Sequence, residues 1–196
     1  MNIKNILTIL FFTGLTPVPS FADEACDDLW FSRNSIFDAN GYCFGSTLGK
    51  AVFDNSDCTT KSPKLNSADK AMVAEAKEME ARWACNMNTN KTRLDIHSFA
   101  RRQTLVDQPL RDDTESGCGK YVGADFPLYA SQSTNARVVG TVSYGDDFIN
   151  AHISFSTTQT ENWWYVSSIS KDGQYLSDIG WTNNPSAWEN CTTVAG

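Results

Sequence analysis

The sequence predicts an α+β chain, with an N-terminal helical hairpin stapled by disulfides and a small all-β barrel at the C-terminus. Three observations carry that prediction. Two stretches, beginning at Asp27 and at Ser67, place apolar residues at helical spacing. From Cys118 onward, short β-branched and aromatic runs alternate with Gly, Asn, Ser and Asp, as strands alternate with turns. The cysteines Cys26, Cys43, Cys58, Cys85, Cys118 and Cys191 are even in number and form no Cys-x-x-Cys pair. They read as three disulfides rather than a metal or redox site.

The first residues set the compartment. Lys4 precedes an apolar run from Ile6 to Leu15, and Ser20-Phe21-Ala22 has the small-x-small pattern of a leader cleavage site. Residues 1–22 are therefore expected to be a signal peptide, with the mature chain starting at Asp23 in the periplasm or outside the cell. Asp23 is not a cysteine, so a lipid anchor is not expected. No later stretch approaches the ~18 consecutive apolar residues of a membrane span. The net charge of −7 repels phosphate backbones and anionic lipid, which argues against nucleic acid as a partner.

In residues 23–90, Asp27 or Asp28 is placed to cap a first helix. Leu29 and Ile36, and Trp30 and Phe37, stack two turns apart on its apolar face. Asn40-Gly41 is a stop, since both residues tolerate positive φ. A turn-rich stretch follows, and Ser67 is placed to cap a second helix running through Ala84. Its apolar stripe is Met72, Ala76, Met79 and Trp83. Two antiparallel helices bring Cys26 to Cys85, and Cys43 to the loop carrying Cys58. The run Arg33-Asn34-x-Ile36-Phe37, with Gly41-Tyr42-x-Phe44, resembles the core of the YARHG module, a bacterial extracellular domain named for a Tyr-Ala-Arg-His-Gly run. Here that run is Phe37-Asp38-Ala39-Asn40-Gly41, so its Arg and His are replaced and their chemistry does not carry over. The resemblance implies a fold and a location.

Residues 91–117 read as a connecting segment. Leu94, Ile96 and Ser98 alternate briefly, while Phe99, Gln103 and Val106 suit a helix, and Pro109 ends either pattern. Arg101-Arg102 reads as solvated, and Asp112 to Gly117 as an exposed turn.

Residues 118–196 form the β module. Ile149, Ala151 and Ile153 alternate with Asn150 and His152, a half-buried strand whose polar face carries His152 into solvent. Trp163 and Tyr165 fall on one side of the next strand, and Trp164 and Val166 on the other. Val166 has no polar handle, which places Trp164 inside and Trp163 nearer the surface. The ends of a small barrel lie close together, which pairs Cys118 with Cys191. Leu128-Tyr129-Ala130, Val138-Val139-Gly140-Thr141-Val142, Gly145-Asp146, Trp164-Tyr165-x-Val and Gly180-Trp181 resemble, in that order, a bacterial SH3-like domain. The resemblance implies an SH3-like barrel and contact with cell-wall glycopeptide.

A search for chemistry gives no catalytic residue, metal site or cofactor. His97 and His152 have no metal-ligand spacing, and neither a Gly-x-Ser-x-Gly elbow nor a phosphate-binding loop is present. The reading points away from an enzyme. The remaining handle is aromatic: Trp163, Tyr165, Tyr129 and Trp181 are candidate residues for holding a sugar or an extended peptide. The expectation is a periplasmic or secreted non-enzymatic binding protein that contacts peptidoglycan. The alternatives are an inhibitor or partner of another envelope protein, and a hydrolase whose site has no sequence signature.

Overall fold

A computed structural model describes residues 21–153, 163–171 and 176–196. Most of the expected leader and the loop 156–162 lie outside the described residues. Helix α1 (Phe21–Ala39) starts before Asp27, so Asp27 and Asp28 are interior residues and not the caps expected of them. It stops where Gly41 turns to φ +75°, and the Gly41 N–H donates to the Asp38 carbonyl at 2.8 Å. The Gly41 carbonyl accepts from the N–H groups of Thr59 and Thr60, which ties the following loop to the end of the helix. Helix α2 (Thr47–Val52) is capped by Ser46, whose hydroxyl accepts from the Gly49 N–H at 3.0 Å. Helix α3 (Ser67–Arg82) is capped by Asn66 rather than Ser67, and it buries Val73, Ala76 and Met79. Met72, one residue off that stripe, is half-buried.

Helices α1 and α3 run antiparallel, with Arg33 on Glu80 at 2.9 Å and Asn40 on Asp69 at 3.1 Å. Cys26 is joined to Cys85, Cys43 to Cys58 and Cys118 to Cys191. The helical part has its own aromatic core of Trp30, Phe31, Phe44 and Phe53 with Leu48, and Leu94 of the connecting segment packs into it. That segment continues into the short helix α4 (Phe99–Arg102).

Among the described residues seven strands follow: β1 (Leu110–Tyr121), β2 (Phe126–Tyr129), β3 (Val138–Val142), β4 (Asp147–Ile153), β5 (Trp164–Ile169), β6 (Leu176–Thr182) and β7 (Cys191–Ala195). They make one antiparallel sheet in the order β3-β2-β6-β5-β4-β1-β7. The fold is therefore α+β, but the sheet has two edges, β3 and β7, and is not the closed SH3-like barrel the sequence led us to expect. It is strongly curled. Phe126 on β2 and Phe148 on β4 are three places apart in the strand order, yet their ring centroids are 6.1 Å apart. A flat sheet would hold them roughly 14 Å apart. At Gly180 the strands come so close that a Cβ would lie 2.9 Å from the Cβ of Leu128, which explains the glycine before Trp181.

The expected turn at Asp112 to Gly117 lies inside β1. Pairing with β4 passes from Arg111↔His152 to Ser116↔Asn150, so residues 112–115 bulge out opposite a single residue of β4. Turn-forming residues here interrupt a strand instead of ending one.

Both faces of the sheet are covered. The concave face carries Tyr121, Phe126, Leu128, Val142, Phe148 and Val166, with Trp164 and Trp188 at its margin. On the other face, Trp163, Tyr165, Ile179 and Trp181 pack against Leu105 of the connecting segment. The Trp181 indole N–H donates to the Asp107 carbonyl at 2.7 Å. Trp163 and Trp164 point to opposite sides as expected, but the expected exposures are reversed. Trp163 retains 5% of its surface, while Trp164 is half-buried. An isolated barrel would leave the Trp163 side wet; here the connecting segment closes it. Trp163→Ala is therefore expected to lose about 3–5 kcal/mol in urea unfolding, and Trp164→Ala distinctly less. The opposite order would show that residues 99–110 do not cover this face in solution.

Candidate functional site at the helix–sheet joint

Along the buried side of α1, Ala25, Asp28, Leu29 and Ser32 follow one another at helical spacing, which turns a carboxylate and a hydroxyl towards the sheet. Arg102, in the last turn of α4, meets them. Its Nη1 donates to Asp28 Oδ1 at 2.8 Å, its Nη2 to Ser32 Oγ at 2.8 Å, and its Nε to Gln108 Oε1 at 3.1 Å. Ser32 in turn donates to the Pro109 carbonyl at 2.7 Å. The guanidinium lies between the Phe31 ring of α1 and the Tyr165 ring of β5, 5.7 and 5.6 Å from their centroids. Only 1% of Arg102 is exposed, so the expectation of a solvated arginine is wrong. A guanidinium is planar and more weakly hydrated than an ammonium, so a carboxylate and two flanking rings can take the place of its water.

His152 occupies the other oxygen of the same carboxylate, with Nε2 at 2.9 Å from Asp28 Oδ2. The sequence placed this ring in solvent, but its side chain is 8% exposed. Strand β4 pairs with β5 only as far as Ile149↔Ser167. Beyond that point, opposite the β1 bulge, strict alternation no longer holds, and the imidazole meets the Tyr165 ring edge-on at 4.8 Å.

Burial dominates the electrostatics. It would raise the Asp28 carboxyl, but Arg102 and His152 outweigh it and hold the group well below the usual carboxylate range. Burial lowers the His152 pKa; Asp28 opposes the shift, and the guanidinium groups of Arg102 and Arg111 support it. The ring is thus neutral near pH 7 and donates from Nε2 to the ionised Asp28. Burial also pushes the Tyr165 phenol up to about 12, against the pull of Arg102.

A cleft of about 310 Å³ opens above this cluster. Glu24 of α1 forms one wall, His97 and Ser98 before α4 a second, and Arg111, Glu115 and Ile149 of the sheet a third. Asp28, Arg102, His152 and Tyr165 form the floor. A wider groove of about 720 Å³ runs between the start of α3 and residues 106–108, but none of the buried charged side chains reaches it. Among the described residues no cluster of His, Cys, Asp and Glu could hold a metal ion. No helix there is long and apolar enough to cross a membrane.

The structure does bring the four aromatic candidates together, but as packing. Trp163, Tyr165 and Trp181 retain 5%, 1% and 0% of their surface, and Tyr129 is half-buried against Trp163. Tyr165 is the one of them that reaches the cleft. The residues that do build it were read as a cap, a solvated arginine and a solvent-facing histidine. A signal was present in α1, where Asp28 and Ser32 share the spacing of Ala25 and Leu29.

The description "Domain of unknown function (DUF4453)" matches residues 84–196, more than half of the chain. The chain belongs to the DUF4453 family. Residues 6–81 match the YARHG domain. No curated protein and no solved structure matches it. YARHG domains occur in extracellular proteins, and three disulfides fit an oxidising compartment. Glu24 and Asp28 of the cleft belong to the YARHG match, and Arg102, Arg111 and His152 to the DUF4453 match.

The sign of the His152 shift gives a pH test. The unfolded ring takes a proton near pH ~6.5, and the folded ring only at lower pH. Stability is therefore full above ~6.5 and falls as pH drops from there towards the lowered folded value, by at most about 1.4 kcal/mol per pH unit. Asp28 acts with the same sign further down, below ~3.9. In denaturation between pH 7 and 5, His152→Gln is expected to remove most of this slope. An unchanged slope in the variant would show that His152 is not buried neutral.

Proposed function

We propose that this protein is an exported, non-enzymatic binding protein of the bacterial envelope, and that it holds cell-wall glycopeptide in the cleft at the helix–sheet joint. The cleft itself carries the reading. It lies where the YARHG and DUF4453 parts meet, its walls present carboxylates, a guanidinium and hydroxyls, and Ile149 adds an apolar surface. Its volume is at the low end of the ~300–1,000 Å³ of small-ligand sites, enough for one fragment of a polymer.

The floor supports binding over turnover. Both oxygens of Asp28 accept a hydrogen bond, one from Arg102 and one from His152, and the group is held ionised, so it has no proton to give to a substrate. Such an arrangement makes a rigid floor.

Two assays test the reading on the mature protein: sedimentation with purified sacculi, and calorimetry with soluble muropeptides. Binding is expected in both. His97 is exposed at the rim, so His97→Trp should fill the mouth, preserve the circular dichroism spectrum and abolish binding. Capture of one stoichiometric envelope protein, with no affinity for sacculi, would replace this reading by the partner-protein alternative. Hydrolysis of muropeptides lost in His152→Gln would replace it by the hydrolase.

A further inference from the structure

The charges that line the cleft do not balance, and the imbalance names a ligand group. Asp28 is matched by Arg102 at 2.8 Å, and Glu115 by Arg111 at 3.7 Å. The third carboxylate, Glu24, accepts the backbone N–H of His97 at 3.0 Å and makes no ion pair within 4 Å with the described residues. Among the described lining residues, Glu24 is then the carboxylate left at the wall outside an ion pair. The group that complements it is a primary ammonium, a compact donor with three N–H bonds.

The aromatic residues exclude a different ligand group. Sugar rings are held by stacking on exposed aromatic faces, yet among the described residues Tyr165 is the one Phe, Tyr or Trp lining the cleft, and it is 1% exposed with its ring packed against Arg102 and His152. Trp163 and Trp181 are buried behind it. Among the described residues a glycan would find hydroxyl partners here but no exposed Phe, Tyr or Trp face to stack on.

We infer that the cleft recognises the peptide portion of glycopeptide through a free side-chain amine of a diamino acid, held by Glu24, and not the glycan. This rests on the cleft being the glycopeptide site. The Arg111–Glu115 pair then supplies the second contact. At 3.7 Å it is longer than a charge-assisted hydrogen bond of ~2.7–2.9 Å. The Glu115 side chain is 53% exposed on the bulge, so a ligand carboxylate can replace it on the guanidinium.

Calorimetry with three probes tests this: a muropeptide with a free diamino-acid side-chain amine, the same compound N-acetylated at that amine, and peptide-free glycan strands. The free-amine probe is expected to bind, the acetylated one about tenfold or more weaker, and the glycan not at all. Glu24→Gln keeps the acceptor for the His97 N–H and removes the charge. It should lower the affinity for the free-amine probe to that of the acetylated one, and leave the acetylated probe unchanged. Equal binding of the two muropeptides, or binding of bare glycan, overturns the amine assignment and leaves the glycopeptide reading standing. Failure of every muropeptide to bind the wild-type chain overturns both.

Discussion

Arg102 is the residue on which the arrangement of helices and sheet depends. Its guanidinium stays charged at any accessible pH, so burying it obliges the surroundings to supply partners. Those partners come from separate places in the chain: Asp28 and Ser32 from α1, Gln108 from the segment leading into β1, and the Tyr165 ring from β5. None of the three disulfides crosses this joint; two lie within the helical part and the third links β1 to β7. The joint is held by packing, by Arg102 and His152 on Asp28, and near the surface by Arg82 on Asp113 at 3.0 Å. Leaving a buried charge without its partner costs about 3–5 kcal/mol, a large share of the ~5–15 kcal/mol that stabilises a whole domain. Asp28 and Arg102 thus position the two parts, and the cleft inherits its shape from them.

Features carried by short-range spacing were legible in the sequence. The helical hairpin could be read from the stripe that includes Ala76 and Met79, and an antiparallel hairpin puts Cys26 beside Cys85. The opposite orientation of Trp163 and Trp164 follows from the two-residue period of a strand. Which side was wet did not follow, because that depends on a third element. Leu105 and the Asp107 carbonyl cover Trp163 and Trp181, and nothing in the strands themselves announces that cover. The candidate site was hidden for the same reason. Asp28, Arg102 and His152 are each ordinary in their local windows, and only the tertiary fold makes them neighbours. The motif order that resembles an SH3-like domain is present, but strand order and closure are separate properties. The same runs here lie in a wider sheet with β1 and β7 added beyond β4.

An open sheet has a consequence a closed barrel lacks. The curl gathers Tyr121, Phe126 and Phe148 on the concave side, as a barrel would, and leaves a convex face that must be covered by something else. The YARHG helices and the connecting segment provide that cover, with Leu29, Ala76 and Met79 packing on Leu110. A straight helix and a curved sheet cannot stay in contact along their whole length, and they part where the sheet is least regular. That place is the bulge at residues 112–115, facing the end of the β4–β5 pairing. The cleft opens there. Its floor is made of charges already committed to one another, while Glu24, His97 and Glu115 stand at its rim. The division of roles follows from burial. Groups deep in the joint must satisfy each other to be there at all, so the side chains left to meet a ligand are those at the rim, near enough to water to do without a buried partner or to exchange one.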